Sequence, residues 1–174
     1  LSQLGQFACE EVVILKSKDP EYNCRAAVFL INHHVYAPEN WNNMFIQKRK
    51  ADHIKIVLDS KDAKSNFELA TECSYSTALK CIKIIIESKD LEYNYRMAIK
   101  NNAHLSEHAQ VIIDSKNLEY NYLFAKNVKG ANIEDHREVI LEAQKRSYIE
   151  EQEKEIIDKF LQEFPMNDYS DEIT

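Results

Sequence analysis

The chain has 174 residues, with 22 Lys and Arg against 29 Asp and Glu, and only two glycines and three prolines. That length can bury a core without disulfides or metals, and so few turn-formers favour helices joined by short loops over a strand protein. The formal charge of -7 is unevenly held, since residues 1–133 carry 17 basic and 16 acidic side chains and residues 134–174 carry 5 and 13.

The N-terminus lacks the cationic and apolar regions of a signal peptide, and apolar runs such as Ile82 to Ile86 are soon interrupted by charges. A cytoplasmic protein without a membrane partner is the expectation, although a chain opening on Leu1 would be trimmed and would hide a short leader. Cys9, Cys24, Cys73 and Cys81 form no C-x-x-C pair and read as reduced core residues.

From Ser17 a motif runs Ser17-Lys18-Asp19-Pro20-Glu21-Tyr22-Asn23-Cys24-Arg25-Ala26-Ala27. It recurs without gaps over Ser60 to Ala70, Ser88 to Ala98 and Ser115 to Ala125, with Ser, Lys, Asn and Ala kept at fixed places. A fifth unit opens at Val139, matching Val111, so the period is 27 to 28 residues. The longer first interval holds an insertion over about 36–50.

Each unit reads as two helices. In the first, Leu105, Ala109, Ile112 and Ile113 share a stripe with His108, Val111 and Ser115 beside it. Asp or Asn two residues after the repeat Ser then suits an N-cap, and Pro20 with Glu21 completes a helix start. In the second helix, Tyr93 and Met97 mark one face and Tyr95, Ala98 and Ile99 another. The recurring Ala predicts a close helix crossing. Such a hairpin cannot bury its own faces and must stack on neighbours.

The expected fold is therefore all-α, a right-handed αα-superhelix of about five helix pairs. It would form a single domain over 1–164 with a C-terminal cap over about 146–164. Residues 134–164 predict one long or two shorter helices, with Ile149, Ile157, Phe160, Leu161 and Phe164 covering the last repeat. Pro165 ends that helix, and 165–174 reads as a disordered acidic tail.

Through Ser17 to Ala27 and Ser88 to Ala98 the chain resembles short S-x-x-P-E-Y-x-Y-x-x-A helical repeats of bacteriophage and bacterial proteins, within the broad HEAT-like and TPR-like group. The TPR Trp-Leu-Gly-Tyr signature is absent. The resemblance covers most of 1–145 and implies a scaffold without an active site, lying in the host cytoplasm if phage-encoded.

No catalytic residue, cofactor or metal is assigned, and the chain is read as a non-enzyme. Tyr36, Trp41, Phe45, Arg49 and Lys50 in the insertion are the partner-binding candidates, the first four, with Met44, being read as residue types enriched at interface hot spots. An extra helix begun at Pro38, packing Trp41, Met44, Phe45 and Lys48, is the structural alternative. Asn23, Asn66, Asn94 and Asn121 predict a ladder bonding loop carbonyls of neighbouring units, with a ligand-facing row as the other reading. Lys18, Lys61, Lys89 and Lys116 fall where cations complement helix C-termini.

His104 and His108 have a metal-compatible i, i+4 spacing. His53, His108 and His136, however, share one repeat position, which favours packing. A protein–protein interaction scaffold or adaptor is the first functional reading. A phage-encoded, anti-CRISPR-like inhibitor of a host defence or nucleic-acid enzyme, using C-terminal acidity as phosphate mimicry, is the second. A nucleic-acid-binding HEAT-like repeat comes last, because Lys48-Arg49-Lys50 is a short cluster rather than a basic stripe. Self-association through open repeat ends stays open.

Overall fold

The computed structural model describes residues 13–32 and 43–165, and for 43–45 the backbone alone. Every regular element among them is an α-helix. After helical residues 13–17 come α1 (Pro20–Asn32), α2 (Asn43–Ser60), α3 (Ala63–Glu72), α4 (Tyr75–Ser88), α5 (Leu91–Lys100), α6 (Leu105–Ser115), α7 (Leu118–Asn127), α8 (Ile133–Gln144) and α9 (Glu151–Glu163). No helix among the described residues is long and apolar enough to cross a membrane.

The S-K-D/N motif makes the same turn each time. The Ser hydroxyl donates to the carbonyl three residues back, from Ser60 to Val57 at 2.7 Å and from Ser115 to Ile112 at 2.6 Å. It also accepts the N–H two residues ahead, at 3.1 Å from both Asp62 and Asn117. The Asp or Asn then caps the next helix, Asp62 accepting from Ser65 N–H at 2.7 Å and Asn117 from Tyr120 N–H at 3.1 Å. Between them the Lys carries the reversal. Lys18, Lys61, Lys89 and Lys116 all sit in the left-handed region, at φ between 55° and 57°. That is where Gly commonly ends a helix, because a Cβ there costs roughly 1–2 kcal/mol.

The contacts divide the chain into two compact units, residues 1–93 and 94–174, with the boundary inside α5. In the first, α1 packs chiefly on α2 and α3 on α4, with smaller contacts of α1 on α3 and α2 on α3. The larger contacts thus join the second helix of one repeat to the first helix of the next, not the two arms of one motif hairpin. Cys24, Ala27, Val57, Leu69 and Cys81 form this core, with Val28, Ile31, Ile54, Leu58, Ala70 and Cys73 against it.

In the second unit α7 packs on α8, and α9 lies on both. Its core joins Leu118, Ala125, Val139, Ile140, Ala143, Ile157 and Phe160. Ile149, Leu161 and Phe164 pack at its margin, so the acidic segment is two helices whose apolar stripe covers the last repeat. Two details differ from the stripe expected in sequence. His108 and Ile112 are the buried centre of α6 while Leu105 and Ala109 are only half-buried, and Ile99 is 48% exposed on α5.

Candidate functional site

The recurring Asn is fully buried in all four repeats, and in Asn23 and Asn121 the amide is held from both ends. Asn23 Nδ2 donates to Asp19 O at 2.7 Å and to Ile14 O at 3.1 Å. Asn66 and Asn121 do the same, to Asp62 O and Val57 O and to Asn117 O and Ile112 O. The amide therefore ties its helix to the last turn of the preceding one. Its oxygen meets a histidine from the following helix. His53 Nδ1 lies 2.7 Å from Asn23 Oδ1, His108 Nδ1 2.7 Å from Asn94 Oδ1, and His136 Nδ1 2.8 Å from Asn121 Oδ1.

For Asn23 and Asn121 the Nδ2 protons are committed to carbonyls, so Oδ1 can only accept and the histidine must donate from Nδ1. Nε2 then carries the lone pair. In His108 and His136 that atom is buried without a partner among the described residues, and burial first of all lowers both imidazoles from 6.5 to about 4. The two rings are neutral structural donors at neutral pH. His104 serves differently, its Nδ1 pairing with Glu107 Oε1 at 2.8 Å, so His104 and His108 point to separate partners. Among the described residues no group of three His, Cys, Asp or Glu is placed to hold a metal.

The third repeat position breaks the series. Cys81 stands 15 residues after Asn66, where His136 stands after Asn121, and Asn66 Oδ1 is left buried without a partner among the described residues.

The two ring positions of Y-N-Y form a second periodic contact. The second ring of one repeat meets the first ring of the next, Phe67 on Tyr93 at 5.7 Å between centroids and Tyr95 on Tyr120 at 6.1 Å. Where the rings are replaced the contact persists, Cys24 Sγ donating to Ser65 O at 3.3 Å. The last of the row, Tyr122, donates to Glu163 of the covering helix α9 at 2.8 Å, and Lys126 Nζ reaches the same carboxylate at 2.6 Å.

With Ser, Asn, Asp and the Tyr pair absorbed by the fold, what remains open lies on the surface. Lys18, Lys61 and Lys89 are exposed, and their ammonium groups take no ion pair among the described residues, whereas Lys116 lies 3.5 Å from Glu142. Between α1 and α3 a groove of about 420 Å³ has Cys24, Val28, Phe29 and Phe67 along it, with Glu68 and Glu72 among its polar residues. Arg25 also borders it and is paired with Glu21. A second cleft of about 580 Å³ at the starts of α6 and α8 is lined by polar groups including His104, Glu107, Gln110 and Asp135. Hydrogen bonds from His104 and Ser106 hold Glu107 there at about 2.

Of the predicted partner-binding residues, Tyr36 and Trp41 lie outside the described residues, and so does the side chain of Phe45. Arg49 and Lys50 are half-buried on α2. The Asn–His pairing was missed from sequence, although its signal was present. The three shared-position histidines each follow a repeat Asn by 14 or 15 residues, or by 30 across the insertion. Comparison of the chain with protein-family models, curated proteins and solved structures finds no match.

Proposed function

We propose that this protein is a non-enzymatic protein–protein interaction scaffold, its helix pairs continuing as a right-handed αα-superhelix and its second-helix face holding a partner segment. The groove between α1 and α3 carries this reading. It sets apolar Val28, Phe29 and Phe67 beside the carboxylates of Glu68 and Glu72, which suits a helix or strand presenting one apolar anchor flanked by a basic residue. Asn32, the last residue of α1, borders the groove, and the 36–50 segment follows within four residues. Tyr36, Trp41 and Phe45 are proposed as the second contact, with Arg49 and Lys50 at its end.

The phosphate-mimicry alternative has less support. Several C-terminal carboxylates are engaged by the chain's own cations, in the pairs Arg146–Glu153, Lys154–Glu151, Lys159–Glu155 and Lys126–Glu163.

Affinity capture from the native host with mass spectrometry tests the reading, using the natural chain, a groove-blocking Thr71→Trp variant and a Tyr148→Ser control. Thr71 borders the groove, and Tyr148, 77% exposed, belongs to the second unit and does not line it. A protein retained by the natural chain and the control but lost with the blocked groove is the expected result. An identical set from all three, or recovery of nucleic acid in place of protein, overturns it.

A further inference from the structure

The three described cysteines are each departures from the repeat, and they converge. Cys24 occupies the place held by Phe67, Tyr95 and Tyr122, Cys81 the place of the ladder histidines, and Cys73 the place of Leu30, Asn101 and Val128. Separate substitutions in three repeats would scatter thiols if they were incidental. Instead Cys24 and Cys81 are buried in one core cluster of the first unit and Cys73 packs against it.

The three differ in access and in protonation. Cys73 is the C-cap of α3, half-buried, with extended backbone at φ -94° and ψ 174°, and it lies in the short connection to α4. Cys81 lies in the second turn of α4, fully buried. The proximity of Cys81 lowers the Cys73 thiol below its ordinary value, and the same neighbour together with burial raises that of Cys81. Burial pushes Cys24 up to about 12 and keeps it a thiol.

We propose that Cys73 and Cys81 form a thiol–disulfide exchange site, with Cys73 attacking a low-molecular-weight disulfide and Cys81 resolving the product into an internal disulfide. The Cys73 thiolate attacks one sulfur of the small disulfide, forming a mixed disulfide and expelling the other half as a thiolate. Cys81 then loses its proton to water and attacks the Cys73 sulfur, expelling the second half. The small disulfide is reduced to two thiols while the two cysteines lose two electrons and two protons. Cys73 is the group a soluble reagent can reach, since it is half-buried and stands in the short connection after α3, where its N–H closes the last turn on Leu69 O and its side chain belongs to neither helix.

Trypsin makes the test direct, because the sequence divides after Lys18, Arg25, Lys64, Lys80 and Lys83 and so places Cys24, Cys73 and Cys81 in three separate peptides. The folded chain is incubated with oxidised glutathione, alkylated, digested without reduction and read by mass spectrometry. The expected product links peptide 65–80 to peptide 81–83. Cys81→Ala should leave glutathione on Cys73, and Cys73→Ser should abolish reaction at Cys81, with circular dichroism confirming that both variants fold.

Three results would overturn the proposal. They are glutathione persisting on Cys73 in the natural chain, a link from Cys73 or Cys81 to Cys24, and both thiols remaining free in the folded chain. If a variant fails to fold, the natural chain's peptide map still decides.

Discussion

Asn121 spends all of its amide inside the fold, donating to Ile112 O and Asn117 O and accepting from His136. Asn66 makes the same two donations, but its oxygen meets no partner among the described residues, Cys81 standing where the histidine would be. The pair of sites is a natural comparison. Each net hydrogen bond contributes about 1 kcal/mol, while leaving a buried donor unpaired costs about 1–3 kcal/mol. Asn121→Ala strands the His136 Nδ1–H as well as the carbonyls, whereas Asn66→Ala also removes an oxygen that was already unpaired. Asn121→Ala should therefore lose about 1–2 kcal/mol more than Asn66→Ala, measured from urea unfolding midpoints at constant slope. Equal losses would mean that the Asn–His bond adds nothing. A cycle of Asn121→Ala with His136→Ala should show coupling of about 1 kcal/mol.

At the scale of the helix, the covering element α9 shows what the pattern alone could and could not reveal. Its apolar residues were legible because Ile157, Phe160, Leu161 and Phe164 fall at helical spacing among acids, and Ile157 and Phe160 are buried. The motif turns were legible for the same reason, since a capping Asp or Asn and a following Pro or Glu act within four residues of chain. The left-handed lysines were not. Lys at a helix end reads as a dipole partner, while the backbone sign depends on closing a three-residue reversal that the sequence leaves unstated. The helix pairing was only half legible, because one repeat shows which faces are apolar but not which neighbour takes the larger share. As for the candidate interface, the α1–α3 groove joins Val28 to Phe67 across two repeats, a proximity no local spacing encodes.

The role of α9 can be checked directly. Phe160 is fully buried, with its ring 4.9 Å from that of Phe164, so Phe160→Ala should cost about 3–5 kcal/mol. Tyr148→Ser, on an exposed ring, should stay within about 0.5 kcal/mol. Size-exclusion chromatography of Phe160→Ala should also show association, as Ile140 and Leu118 lose part of their cover. A monomeric, equally stable variant would remove α9 from the core.

For the molecule as a whole, buried ladder imidazoles couple stability to acid, and the shifts of the two in the second unit give the direction. The folded values of His108 and His136 lie near 4, below the 6.5 of an unfolded histidine, and burial is the leading cause in both. His104 adds to the lowering at His108, while Glu107 there and Asp135 at His136 oppose it. The unfolded chain consequently binds more protons between these values. The stability is fully present above pH 6.5, declines as pH falls, and has lost its full share below about 4, an amount on the order of 3 kcal/mol per imidazole.

The lowered carboxylates Glu107, Glu155 and Glu163 respond only below their ordinary value near 4.5, so the interval from pH 7 to 5 isolates the histidines. Urea midpoints should fall across that interval, and His136→Gln should flatten the slope by removing one titrating ring. Hydrogen exchange, corrected for its intrinsic pH dependence, should locate the effect. Amides of α6 to α8 should lose protection at pH 5 before those of α3 and α4, where Cys81 stands at the histidine position and the ladder imidazole of the first unit, His53, lies on α2. Uniform loss over both units would show that acid acts on the chain as one cooperative body, and an unchanged midpoint would show that the buried rings accept protons without cost.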